Sequence, residues 1–339
     1  MGGTLGIRQR LPICRDRPDP ACKTEGPAHA ACPLAFLAAF ATGGTALAGA
    51  IDTPETDYSR LQSLDRATIS LPERDRGKAI SDLYENLFRP RLGDSGLRLA
   101  SSADLDRMLG FAHTVAFYSR EPRHLADMQQ VLSELESRGA ASDGQRKLMY
   151  EALVGHRRFD EARLYRSRHP TLDVEPLPDL GRALPPSADE VLVYDPDPVE
   201  FRLSPRRLDI ARGVRIVIVG HPACGFSRAA ARFASTRPDV ARSLHKHAVW
   251  ITPVGMRLYF EEIQVWNREC PQFRTFITRH RDDWPMIAEW ATPQFYLLRD
   301  GKVVDHLAGW PKDDSNQERL LRMLTAIDDQ PSRDSAPIQ

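Results

Sequence analysis

The stretch Ile216-Val217-Ile218-Val219-Gly220-His221-Pro222-Ala223-Cys224-Gly225-Phe226-Ser227 closes one kind of local structure and opens another. Its first four residues are β-branched and apolar, the composition of a strand buried on both faces. The residues that follow, Arg228-Ala229-Ala230-Ala231-Arg232-Phe233, favour a helix. Cys224 therefore falls at a strand-to-helix turn, where unpaired backbone N–H groups and the positive end of the helix dipole favour an anion. A thiolate is stabilised there, and the thiolate is the reactive form. Ser227 lies one helical turn further on, within reach of a hydrogen bond to the sulfur but unable to form a disulfide with it. His221, three residues before the cysteine, either stabilises the thiolate when protonated or simply faces solvent.

Similar short runs lie on both sides. Val191–Tyr194, Ala248–Ile251, Phe295–Leu298 and Val303–Leu307 read as strands, and helical stretches separate several of them, so an α/β sheet is expected. Asp300-Gly301 suits a tight hairpin turn between the last two.

Strand, turn, C-x-x-S and helix, followed later by Ala291-Thr292-Pro293-Gln294-Phe295-Tyr296-Leu297-Leu298-Arg299-Asp300-Gly301, resemble the thioredoxin superfamily over most of residues 191–330. The resemblance implies a thioredoxin-like fold in which Thr292-Pro293, with a cis proline bond, faces Cys224 and presents backbone to a peptide. It implies catalytic roles for Cys224, Ser227 and Pro293, substrate contacts at Thr292, Pro222, Phe226 and His221, and a glycine at Gly309. The second cysteine of C-x-x-C is missing, so a mixed disulfide on Cys224 must be released by another thiol. Cys-Gly-Phe-Ser is also the signature of monothiol glutaredoxins, which bind glutathione and an iron–sulfur cluster, although the lysine that precedes their motif is absent here. The interval from Cys224 to Pro293 exceeds that of a plain thioredoxin, which implies an insertion between Ile251 and Trp290. Cys270 falls in it, either as a distant resolving thiol or as a partly buried cysteine without a redox role. All five tryptophans also belong to this domain, most of them as core residues.

Upstream the periodicity becomes helical. Leu105, Met108, Leu109, Ala112, Val115 and Ala116 form one face, with Ser101 or Ser102 placed to cap it. A second helix starts at Pro122, buries Leu125, Met128, Leu132 and Leu135, and ends at Gly139. Lys147–Val154 and Phe159–Arg168 form a further pair joined at Gly155, and residues 148–162 resemble the second half of a tetratricopeptide-type repeat. One or two more helices are expected over residues 54–100, the clearest around Ile80–Phe88. Residues 51–171 thus read as an all-α domain of helical hairpins that recruits a protein partner. The proline-rich stretch 172–190 reads as an extended linker.

Before residue 51, Arg8, Arg10, Arg15, Arg17 and Lys23 precede the apolar run Pro33–Ala41 and the small residues Ala48-Gly49-Ala50. That order reads as a secretory signal over residues 1–50 and a periplasmic or secreted protein. The apolar run is too short for a stable membrane span. Cleavage near Ala50 would remove Cys14, Cys22 and Cys32 and leave Cys224 and Cys270. The chain has 46 basic and 46 acidic residues, so no summed field favours nucleic acid. His245-x-His247 alternates as strand residues do but has no acidic or cysteine partner at ligand spacing, so no metal is assigned. No cofactor is expected, residues 331–339 read as a disordered tail, and the expected partners are protein thiols and disulfides. Two functions compete: an exported thiol–disulfide oxidoreductase or isomerase, and a non-catalytic scaffold whose helical array carries the binding.

Overall fold

The computed structural model describes residues 54–185, 190–255, 257–313 and 315–328. The expectations about the export segment, its cysteines and the tail at 331–339 lie outside those residues.

The amino-terminal part is helical. Helices α1 (Pro54–Ala67) and α2 (Glu73–Leu87) are followed by a 3-10 turn at Arg89–Arg91 and the short α3 (Asp94–Leu99). One or two helices were expected here; α1 and α3 are rich in polar residues and carry little apolar periodicity. In α4 (Ser102–Ser119) the Ser101 hydroxyl accepts a hydrogen bond from the Asp104 amide, the cap that its sequence signals. Next, α5 (Pro122–Ser137) has proline in its first turn, and Gly139 follows it at φ +63°. Two shorter helices complete the part, α6 (Asp143–Gly155) and α7 (Phe159–Arg168). α6 starts earlier than the expected Lys147, because Ser142 and Gln145 form a reciprocal capping box. Leu105, Met108, Leu125, Met128, Leu132, Leu135, Leu153 and Phe159 are buried. Each large side chain of this kind contributes about 1.5–3 kcal/mol.

The carboxy-terminal part is a mixed α/β layer. Its strands are β1 (Asp179–Leu180), β2 (Val191–Pro196), β3 (Arg202–Leu208), β4 (Val214–Val219), β5 (Ala248–Thr252), β6 (Thr275–Thr278), β7 (Gln294–Arg299) and β8 (Lys302–Ala308). Helices α8 (Gly225–Thr236) and α9 (Pro238–His247) lie between β4 and β5, α10 (Phe260–Glu269) lies between β5 and β6, and α11 (Ser315–Asp328) follows β8. The strand order is β1-β3-β2-β6-β5-β4-β7-β8. β4, β5 and β6 run parallel, and β7 is antiparallel to β4 and β8. Along β4 the side chains alternate. Ile216 and Ile218 join a core with Ala231, Leu244, Phe295 and Leu324, whereas Val217 and Val219 join another with Ile251, Phe276, Trp284 and Leu298. Asp300-Gly301 forms the β7–β8 turn with both residues at positive φ.

Three features depart from the sequence reading. β3 and β6 were not foreseen: β3 contains three arginines and Pro205, and β6 is four residues long. His245 and His247 end helix α9, so the strand geometry used to consider them as a pair does not apply. The proline-rich stretch is extended, as its prolines require, but it lies against the protein. Leu172 is buried, Val174 and Leu177 pack on the helical core, and β1 pairs in parallel with β3.

One core passes between the two parts. The cluster containing the α2, α4, α5 and α6 side chains also takes in Leu203, Leu258, Phe260, Ile263 and Ile277. Arg120, after α4, and Arg157, after α6, adopt left-handed φ values of 57° and 58°. From there Arg120 Nη2 donates to the Val254 carbonyl at 3.0 Å and Arg157 Nη2 to that of Thr278 at 2.9 Å.

Candidate functional site

The turn after β4 is held by backbone hydrogen bonds. Gly220 N–H donates to the Ile251 carbonyl at 2.9 Å, and Cys224 N–H donates to that of His221 at 2.9 Å. The Arg228 N–H then donates to the Cys224 carbonyl at 3.0 Å, the first turn of α8. Arg228 Nη1 closes the loop from the side through the Pro222 carbonyl at 3.0 Å. A Cβ on Gly220 would sit 3.2 Å from the Trp250 ring, so the bend needs a residue without a side chain.

Cys224 is the N-cap residue of α8 and is half-buried. It is the free cysteine among the described residues. Its Sγ lies 3.5 Å from the Thr292 carbonyl oxygen, a weak S–H···O contact across the site. The Thr292–Pro293 peptide bond is cis, and the Pro293 carbonyl accepts from the Gly309 amide at 2.8 Å. The structure thus brings Cys224, Thr292, Pro293 and Gly309 together from distant parts of the sequence.

His221 is held within the turn itself. Its Nδ1 accepts the Ala223 N–H at 3.0 Å, and its ring packs edge-on against Tyr259 at 4.7 Å. Burial pushes its pKa down to about 4, so the ring is neutral near pH 7 and provides no imidazolium to the sulfur. Ser227 is buried, and its hydroxyl accepts the His221 N–H at 3.2 Å, so it braces the same loop. Pro222 is buried and Phe226 packs partly against the sheet core, while Ala223 and Gly225 form the exposed rim around the thiol. Cys270 is fully buried among Trp250, Trp266 and Phe273 and is not a free thiol. The segment that carries it supplies α10 and β6 to the layer.

Two carboxylates that sequence reasoning missed hold the loops beside the thiol. Glu175, in the proline-rich strap, accepts from the amides of Leu258 at 3.1 Å and Phe260 at 2.9 Å. These bonds bracket Tyr259, which starts α10 at φ +52° and contacts His221. Glu73, at the start of α2, accepts from the Trp290 amide at 3.2 Å and pairs with Arg281. Trp290 lies two residues before Thr292. Neither glutamate is marked by motif or periodicity, because each acts on residues far away in sequence.

No family model, curated protein or solved structure matches the chain.

Proposed function

We propose that the protein is an exported, thioredoxin-like thiol–disulfide enzyme that works through Cys224 and mixed disulfides with protein substrates. The observation that carries this reading is the free, half-buried Cys224 at a helix N-terminus, with its sulfur 3.5 Å from the Thr292 carbonyl. The Thr292 backbone beside the sulfur offers a hydrogen-bonding edge to an extended peptide. In the reaction the Cys224 thiolate attacks one sulfur of a substrate disulfide. A new S–S bond forms, the old one breaks, and the other sulfur leaves as a thiolate. A second attack, by a substrate cysteine or an external thiol, releases Cys224. Attack by another cysteine of the substrate is isomerisation; attack by an external thiol leaves that thiol disulfide-bonded to the substrate, and a second external thiol completes the reduction by carrying the S–S bond away as an external disulfide.

One observation favours a scaffold instead: among the described residues no second free thiol stands beside Cys224, since Ser227 occupies the resolving position and Cys270 is enclosed. Intact-mass analysis of the protein after exposure to a disulfide-containing peptide separates the two. The enzyme reading requires a covalent peptide adduct that dithiothreitol releases and that Cys224→Ser abolishes. Absence of an adduct leaves the scaffold ahead, with the helical hairpins as its binding surface.

A further inference from the structure

A cleft of about 590 Å³ lies between the two parts of the molecule, within the size range of small-molecule sites. Glu73 and Lys78 of α2, Arg120 after α4, and Arg281, Trp284 and Trp290 from the segment before β7 line it. Most of its acids are already engaged. Glu73 holds Arg281 and the Trp290 amide, Asp82 pairs with Lys78 at 2.6 Å, and Glu121 pairs with Arg123 at 2.6 Å. Asp282, which also lines the cleft, is exposed.

Arg120 is left with too few acceptors. Its Nη2 meets the Val254 carbonyl, but Nε and Nη1 are inaccessible to solvent and have no hydrogen-bond partner. Arg281 Nε and the Trp284 indole N–H are in the same condition. Arg281 and Arg157 add like charge, and Glu73 is the acid that opposes it. A guanidinium keeps its proton, so a buried surplus of this kind is relieved by an anion. Trp290, whose ring lies under the Arg281 guanidinium at 5.6 Å, adds apolar surface to the cleft together with Ile287 and Pro285.

We propose that this cleft binds a small organic oxyanion, a carboxylate or phosphate group carried on an apolar or aromatic body. The proposal stands independently of the chemistry at Cys224. Calorimetric titration of the full chain with phenyl phosphate tests it, with inorganic phosphate and phenol as the two half-ligands. Phenyl phosphate is expected to bind saturably and more tightly than either. Arg120→Gln is expected to weaken it by about tenfold or more, the effect of removing the buried positive charge that the anion offsets. Because Arg120 also joins the two parts, Arg74→Glu serves as the second variant: Arg74 is exposed at the cleft, and reversing its charge is expected to weaken binding several-fold without disturbing the fold. The proposal is overturned if phenyl phosphate gives no saturable heat up to about 10 mM. It is equally overturned if phenol binds as well as phenyl phosphate, or if a folded Arg120→Gln and Arg74→Glu both bind like the parent.

Discussion

Cys224 and Cys270 occupy opposite environments within one α/β layer, and that difference is measurable. Iodoacetamide applied to the folded protein is expected to modify Cys224 and spare Cys270, which becomes reactive only after reduction and unfolding; peptide mapping reads both sites. Native labelling of Cys270 at a comparable rate would contradict its burial. His221 gives a second test. Its pKa is about 4 in the fold and 6.5 when unperturbed, so between these values the unfolded chain binds more protons. Stability is therefore full above about pH 6.5 and is lost as the pH falls toward 4, on the order of 2 kcal/mol from this residue at pH 5. His113 and His156, also pushed down to about 4 mainly by burial, act in the same sense. Urea unfolding at pH 7.5 and pH 5 should show the loss, and His221→Gln should remove part of it. The position of Cys224 was legible because strand and helix signals meet around it. The state of His221 was not, because the ring that covers it, Tyr259, belongs to a segment with no local link to the turn.

At the level of elements, long amphipathic helices and buried strands were readable, and short or half-exposed pieces were not. α4, α5 and β4 state their inward faces in their spacing, whereas β3 and β6 become strands through the neighbours they pair with. Caps behave as local signals, and Ser142→Ala is expected to destabilise α6 by about 1 kcal/mol in a thermal or urea melt. The strap is the opposite case. Its prolines signalled extension, but nothing in its sequence showed that Glu175 fixes the start of α10. Glu175→Gln removes the charge from two hydrogen bonds and is expected to cost about 1–3 kcal/mol. It should also speed alkylation of Cys224, as Tyr259 loosens from His221. An unchanged alkylation rate in a destabilised variant would confine Glu175 to a structural role.

Across the whole molecule, the helical and α/β parts share a core, so separation should be costly. Residues 190–328 expressed alone would expose Leu203, Leu258, Phe260, Ile263 and Ile277. Such a fragment is expected to aggregate or to bind apolar dyes, whereas a soluble, cooperatively melting fragment would refute the shared core. The sequence indicated two composition regimes and their order; it could not indicate that the parts fuse, because contacts such as Arg157 with Thr278 have no local signature. The two left-handed arginines carry that fusion further. A non-glycine residue in this conformation costs about 1–2 kcal/mol, and at Arg120 and Arg157 the side chains gain carbonyl acceptors from the other part of the chain in addition to local ones. Folding of the helical part alone would leave both turns with only their local capping bonds, such as Arg120 N–H to Ala116 and Arg158 N–H to Leu153. The backbone at these two positions is a built-in gauge of assembly, whose amide resonances should shift together when the sheet docks and not when the helices form.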